Sequence, residues 1–223
     1  MSGLFAPLLP PFVASAEGVI DEIDGPIWPE EAERVARAVE QRRKEFRAGR
    51  TLARQALAAV GARACGIGAS EAGAPVWPDG FVGSISHTGP MVWAVAARRS
   101  DVRTIGVDLE AIARFSAGIE RRVLTSREIR NALAGLAGAE RQAIVATVFS
   151  AKEAFYKMQH PISGRRLGFQ DAEVAVDAAG GRFELTLLSP AAPFAAGDRF
   201  WGRWGVRSGL VAAAIWLSDE GRP

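Results

Sequence analysis

The stretch Phe149-Ser150-Ala151-Lys152-Glu153-Ala154-Phe155-Tyr156-Lys157 holds two of the three lysines in a 223-residue chain that has 24 arginines. A lysine ammonium is a compact charge that suits a phosphate, whereas the arginine guanidinium is a planar fork. Glu153 and Lys157 lie four residues apart, so they share one face of a predicted helix. Phe149 and Phe155 are expected to anchor this helix in the core. Taken alone, the segment is also typical of a solvated helix with one Glu–Lys pair.

Composition and charge exclude several kinds of protein. The sequence is 48% hydrophobic and 23% charged with a net charge of +2, as expected for a soluble globular protein. The single cysteine, Cys65, excludes an internal disulfide and a cysteine-based zinc site, and two histidines weigh against a His-rich metal site. Residues 1–12 lack a basic segment, and no apolar run approaches the ~20 residues of a membrane span. We therefore expect a cytoplasmic protein with no membrane contact.

The N-terminal half is predicted to combine one long helix with a strand hairpin. Residues 1–28 are rich in proline and indicate loops. Pro29 begins a helix that runs to about Val60, with a bend expected near Gly49. The turn His87–Pro90 is predicted to join two strands. Strands are expected at 81–86 and 91–97 in this half, and a third strand is expected at 104–110.

The C-terminal half has the same order of helices followed by strands. Helices are expected at 126–137 and 140–158, and strands at 172–177, 183–188, 200–207 and 210–217. Ser208-Gly209 indicates a tight hairpin between the last two strands. The pattern predicts an α+β fold with largely antiparallel sheets, in two halves at about 1–104 and 105–223.

Two carboxylates occur in the strand Ile105-Gly106-Val107-Asp108-Leu109-Glu110. Alternate residues of a strand share a face, so Val107 and Leu109 are predicted to enter the core while Asp108 and Glu110 point together to the other side. Such a pair is typical either of an exposed strand end or of a hard-cation site. Mg²⁺ commonly takes one or two protein carboxylates together with substrate phosphate.

The stretch Gly83-Ser84-Ile85-Ser86-His87-Thr88-Gly89 places a histidine where a strand meets a turn. Small neighbours leave the backbone accessible, and N–H groups in such a turn can bind phosphate. A hydrogen-bonded turn histidine without a ligand is the alternative.

Together these three segments resemble the 4′-phosphopantetheinyl transferase superfamily, and most closely its enterobactin-synthase-activating, siderophore type. Arg42–Arg50, Trp77-Pro78 and Gly202-Arg203-Trp204 match the family as well, so the resemblance covers most of the chain. It implies a single transferase domain that is a pseudo-dimer of two similar α/β halves with the active site at their junction. It also implies transfer of 4′-phosphopantetheine from coenzyme A (CoA) to a serine of a carrier protein, releasing adenosine 3′,5′-bisphosphate.

The resemblance implies three groups of site residues. The Mg²⁺ ligands, with Mn²⁺ as an alternative ion, are expected to be Asp108, Glu110 and Glu153. The phosphate contacts are expected to be Ser86, His87, Lys152 and Lys157. The contacts near the nucleotide end of CoA are expected to be Arg42 and Arg50. Lys157 is also expected to steady the leaving group, and either Glu153 or a metal-bound water takes the serine proton.

One departure from the family leaves a second function open. Many relatives carry a basic residue shortly before their Pro-x-Trp-Pro element, whereas Glu71–Pro78 of this chain contains none. A catalytically weak or inactive relative that binds CoA or a carrier is therefore the alternative. A stripe of arginines from Arg43 to Arg54 suggests nucleic acid as a ligand, but the nearly neutral net charge weighs against it.

The expected partners are apo acyl or peptidyl carrier proteins of fatty-acid, polyketide, nonribosomal-peptide or siderophore assembly. The family type implies a monomer that binds no nucleic acid. Partner choice is predicted to depend on segment 111–140, whose apolar residues form either a surface patch or core. These residues are Ile112, Phe115, Ile119, Val123 and Leu124.

Overall fold

The structure is a computed structural model that describes residues 3–71, 73–116 and 118–218. The chain divides into two compact units, Met1–Thr104 and Ile105–Pro223. The sequence analysis placed the boundary of two halves at the same position, and their relation as repeats stays a prediction. Each unit combines helices with one β-sheet, which confirms the α+β class.

The first unit is a three-stranded sheet covered by a long helix. Its elements are β1 (Ala14–Val19), α1 (Pro29–Val35), α2 (Glu40–Ala59), β2 (Phe81–Thr88) and β3 (Met91–Arg98). The strand order is β1-β3-β2 with both pairs antiparallel. The prediction of loops over residues 1–28 was wrong for β1. Its Ala, Ser and Gly residues give little strand propensity, and pairing along β3 holds it in the sheet.

The predicted single helix from Pro29 to Val60 is two helices. The chain leaves the helix after Val35 and re-enters it at Glu40, whereas Gly49 lies inside a continuous α2. The Arg43 side chain explains the break, because Nε donates to the Val35 carbonyl at 3.2 Å and Nη2 donates to the Ala36 carbonyl at 2.7 Å. A side chain of α2 thus satisfies carbonyls at the end of α1.

The core of the first unit lies between α2 and β3. Residues of α2 at helical spacing are buried against alternate small residues of β3. They are Leu52, Ala53, Ala56 and Leu57 on α2, and Val92, Ala94 and Ala96 on β3. This packing fixes the rotation of α2 and therefore the side on which its arginines lie.

The second unit is a five-stranded sheet with one dominant helix. Its strands are β4 (Thr104–Ala111), β5 (Ala172–Asp177), β6 (Arg182–Leu187), β7 (Arg199–Arg207) and β8 (Leu210–Leu217), in the order β4-β8-β7-β6-β5. Its helices are α3 (Glu120–Val123), α4 (Ser126–Ala132) and α5 (Gly138–Ser163). Ser208 and Gly209 both have positive φ, 50° and 76°, and form the predicted hairpin between β7 and β8.

Two predictions about the second unit need correction. α4 ends at Ala132, earlier than the predicted 137, and α5 is longer than 140–158 at both ends. Gly164 ends α5 in the left-handed conformation with φ 64°. Segment 111–140 supplies core, because Phe115, Val123 and Leu124 are buried with α5.

None of the helices in the described ranges combines the length and the apolar character of a bilayer span. α5 instead packs against the sheet of its own unit through Val148, Phe155 and Met158.

Gly106 of β4 is the point of closest approach between α5 and the sheet. A Cβ at Gly106 would overlap the Ala154 carbonyl oxygen and lie 2.7 Å from the Met158 amide nitrogen. Both neighbours are backbone atoms of α5, so neither can move by a change of rotamer. The absence of a side chain at Gly106 therefore sets the distance between α5 and β4.

Gly106→Ala should lower the free energy of unfolding by about 1–3 kcal/mol or more, because α5 must move away from β4. Urea unfolding followed by circular dichroism measures the change. Gly168→Ala is the matched control, since its Cβ would meet only Asp171 Oδ2 at 3.6 Å, an ordinary contact. Equal stability of the two variants would contradict the close packing.

Candidate functional site

The closeness of α5 and β4 brings Lys157 to Asp108. The ammonium of Lys157 donates to Asp108 Oδ1 at 2.7 Å and to the Val107 carbonyl at 3.0 Å. Asp108 is 3% exposed, so the predicted alternative of an exposed strand end is wrong. A buried carboxylate that keeps its charge needs such a cation beside it.

Glu110 and Glu153 lie in the electrostatic field of the same aspartate. Burial, and then the charge of Asp108, raise the pKa of Glu110 to about 7, while Arg114 at 2.7 Å opposes the rise. Burial raises the pKa of Glu153 as well, Asp108 adds to the rise, and Lys157 opposes it. The strand and the helix thus gather three carboxylates that disfavour one another's charge.

These three carboxylates are not arranged as a formed metal centre. In residues 3–71, 73–116 and 118–218, no group of three or more His, Cys, Asp or Glu side chains has the spacing of metal ligands. Mutual repulsion keeps like charges apart, and the Lys157 ammonium already neutralises Asp108. The donor type nevertheless fits Mg²⁺, which prefers carboxylate oxygens, and a cation would offset the charge of Asp108, which adds to the effect of burial on the pKa of Glu110.

Lys152 is placed differently from Lys157. Its side chain is 4% exposed, and its ammonium donates to Glu128 Oε2 at 2.7 Å, the Phe169 carbonyl at 2.8 Å and the Val123 carbonyl at 2.9 Å. An ammonium has three hydrogens, so these acceptors use its whole donor capacity. The structure thus does not bring Lys152 into position for the phosphate contact that the resemblance implied.

The first unit contains a basic groove of about 360 Å³. Its polar lining consists of three arginines, one histidine and one acid, namely Arg34, Arg42, Arg50, His87 and Glu45. The positive charges outnumber the negative one, which suits a phosphate. Two of the three arginines, Arg42 and Arg50, are residues that the resemblance assigned to the nucleotide end of CoA.

Arg50 lines this groove and is held by several contacts. Its Nε donates to the Ile67 carbonyl at 2.7 Å, Nη2 donates to the Gly68 carbonyl at 3.2 Å, and its guanidinium lies over the Phe46 ring at 4.5 Å. Burial lowers the pKa of Arg50 to about 10, so the group stays charged at neutral pH. The side chain both fastens the loop at residues 67–68 and presents a fixed charge.

His87 faces the groove, whereas Ser86 does not. β2 continues to Thr88 and the turn is limited to Gly89 and Pro90, so the predicted turn at His87–Pro90 was too long. Alternation along β2 then buries Ser86 on the opposite face, at 6% exposure. His87 Nε2 lies 3.2 Å from Arg42 Nη1 and 3.8 Å from Glu45 Oε2.

Sequence reasoning missed Arg34. Its Nη2 lies 2.5 Å from the point that a Cβ of Gly73 would occupy, and Gly73 has φ 86°. Arg34 therefore occupies the space beside the segment Glu71–Pro78, which has no basic residue of its own. Its position in the last turn of α1, just before the break after Val35, carries no signal in the sequence.

Glu110→Gln should raise the free energy of unfolding at pH 8 by ~1–3 kcal/mol and leave it nearly unchanged at pH 5 when divalent ions are chelated. The folded-state pKa of about 7 exceeds the ordinary 4.5, so the folded state binds the proton more tightly. Stability of the natural protein therefore falls as the pH rises from about 4.5 through about 7. Urea unfolding in EDTA measures it, with the exposed Glu140→Gln as the control. An equal effect at both pH values would contradict the raised pKa.

The chain is similar to known proteins over both units. Residues 30–97 match the model of the 4′-phosphopantetheinyl transferase N-terminal domain, and residues 104–204 match that of the 4′-phosphopantetheinyl transferase superfamily. The chain is 39% identical over 220 residues to the 4′-phosphopantetheinyl transferase Svp of Streptomyces mobaraensis, covering 95% of this chain and 88% of that protein. It is 34% identical over 142 residues to enterobactin synthase component D of Salmonella typhi, covering 59% of this chain and 54% of that protein.

Among solved structures, a holo-(acyl-carrier-protein) synthase from Bacillus anthracis in complex with CoA (3′,5′-ADP) matches at 24% identity and a TM-score of 0.36. The match covers 51% of this chain and 93% of that one. The two family models together span both units, and the match to Svp extends over most of either chain. The chain therefore belongs to the 4′-phosphopantetheinyl transferase superfamily.

Proposed function

We propose that this protein catalyses Mg²⁺-dependent transfer of 4′-phosphopantetheine from CoA to a serine of an apo acyl or peptidyl carrier protein, with release of adenosine 3′,5′-bisphosphate. The observation that carries the proposal is the pairing of Lys157 with Asp108, beside Glu110 and Glu153, inside the region that matches the superfamily. It joins a phosphate-binding cation to a group of metal-binding oxygens. Catalysis of phosphate chemistry depends on such charge compensation.

The groove of the first unit is proposed to bind phosphate at the nucleotide end of CoA. Arg42 and Arg34 reach the groove from two helices, and Arg50 is already desolvated and fixed by backbone carbonyls. Fixed donors bind an anion without first losing side-chain freedom. His87 contributes a fourth nitrogen-bearing group to the same lining.

The carboxylates of the second unit are proposed to hold Mg²⁺, with Mn²⁺ as the alternative ion. Asp108, Glu110 and Glu153 would be its protein ligands. When bound, the ion withdraws negative charge from the diphosphate of CoA. Lys157 pairs with Asp108, and it would offset charge on the leaving bisphosphate.

Glu153 is the group of this chain proposed to take the proton of the serine hydroxyl. Burial raises the pKa of its carboxyl, and a higher pKa makes a carboxylate a stronger base. Lys157 opposes this rise.

The partner is proposed to be a carrier domain of fatty-acid, polyketide, nonribosomal-peptide or siderophore assembly, met in the cytoplasm by a monomeric transferase. The similarity to enterobactin synthase component D supports the siderophore assignment. A panel of apo carriers assayed side by side identifies the preferred one.

Incubation with CoA, Mg²⁺ and an apo carrier should add one phosphopantetheine to the carrier, detected by intact mass spectrometry, and EDTA should prevent it. Asp108→Asn should lower the rate about 10²-fold or more, because it removes a charge that Lys157 and the metal both use. Asp79→Asn, a change of an exposed acid, is the matched control. Tight binding of CoA without transfer to any carrier would favour the inactive relative instead.

Arg34→Gln should weaken CoA binding about tenfold, the cost of losing one charged hydrogen bond to a phosphate. Binding of 3′-dephospho-CoA should change less than about twofold, since the ligand lacks the phosphate proposed to lie in the groove. Calorimetry measures both, and Arg37→Gln on an exposed position nearby is the control. A similar loss of affinity for both ligands would show that Arg34 does not bind this phosphate.

A further inference from the structure

We propose that Lys152 is a positioning residue that directs Glu153 through a buried ion pair with Glu128, and that it does not bind the coenzyme. The inference rests on the proposed function, because it assigns Glu153 a role in transfer. It concerns a lysine that is adjacent to Glu153 in the sequence and whose ammonium is bound by Glu128 and two backbone carbonyls in the fold.

The ammonium of Lys152 is enclosed by acceptors of the protein. Lys152 is 4% exposed and Glu128 is 3% exposed, and their charged atoms lie 2.7 Å apart. The two other hydrogens of the ammonium go to the carbonyls of Val123 and Phe169. A phosphate could reach Lys152 only by replacing one of these three acceptors inside the unit.

The carboxylate of Glu128 connects Lys152 to two other elements of the unit. Its Oε2 accepts from Lys152 and from the Thr125 amide at 2.6 Å, and its Oε1 accepts from the Val174 amide at 2.7 Å. One carboxylate therefore joins α5 to the N-terminus of α4 and to β5. Thr125 extends the network by donating from Oγ1 to Glu173 at 2.9 Å.

The contacts of Lys152 fix the rotation of α5 about its axis. Adjacent residues of a helix point about 100° apart, so anchoring Lys152 on one side fixes the direction of Glu153. Gly106 limits the distance of α5 from β4, where Asp108 lies. The contact at Gly106 sets the distance of α5 from β4, and the ion pair sets the rotation of α5. Together they determine where the Glu153 side chain lies relative to Asp108.

The ion pair can be separated from a phosphate contact with a double variant. Lys152→Met alone leaves a buried charge on Glu128 without its partner. Glu128→Gln in addition removes that charge and keeps a carbonyl for the Val174 amide, at the cost of the bond that Oε2 accepts from the Thr125 amide. We expect Lys152→Met to lower Tm by roughly 10 °C, and the double variant to recover at least about half of that loss.

Activity and ligand binding should follow the same order. Lys152→Met should lower kcat at least about tenfold, and the double variant should return kcat closer to that of the natural protein, since the orientation of Glu153 is partly restored. The Kd of CoA should stay within about twofold in the double variant, while Lys157→Met, the positive control, should raise it about tenfold.

A phosphate ligand would give a different pattern. If Lys152 binds CoA, the Kd of CoA rises in the double variant as much as in Lys152→Met, kcat stays low, and the proposal is overturned. If Lys152→Met does not fold, the double variant alone decides through the Kd of CoA and kcat. If the proposed function is wrong, the natural protein neither binds CoA nor transfers phosphopantetheine. That result also overturns the positioning role of Lys152, although the double variant would still recover part of the Tm lost in Lys152→Met.

Discussion

The contact between Gly106 and the backbone of Ala154 is the constraint on which the second unit depends. A strand residue with any side chain would hold α5 away from β4. At the observed distance, the helix delivers Lys157 to Asp108 and places Glu153 in the field of the same carboxylate. The electrostatics of the candidate site are therefore a consequence of packing.

The second unit uses its two neighbouring lysines for opposite purposes. Lys152 forms a buried ion pair with Glu128, whereas the partly exposed Lys157 forms an ion pair with Asp108. A buried ion pair contributes little net stability compared with apolar packing, but breaking it costs about 3–5 kcal/mol. Such a pair selects one arrangement of helices more than it strengthens the fold.

Much of this architecture was predictable because it depends on local patterns. Strand 172–177 follows from alternation and strand 210–217 from a continuous apolar run, and Ser208-Gly209 signals the hairpin before the latter directly. The break after Val35 was not predictable, since the arginine that satisfies the helix end is eight residues away. The partner of Lys152 is likewise distant, because Glu128 lies on another helix. Patterns reveal which residue types are present, whereas long-range contacts decide which of them remain available to a ligand.

The buried Arg50 has a consequence for how the groove meets an anion. Its guanidinium has already given up much of its hydration to Phe46 and to the carbonyls of the loop at residues 67–68. An incoming phosphate therefore does not have to strip water from this group, and that part of the dehydration cost is carried by folding. Under the proposed function, folding of this unit therefore prepays part of the dehydration that phosphate binding at Arg50 requires, at some expense of the unit's own stability.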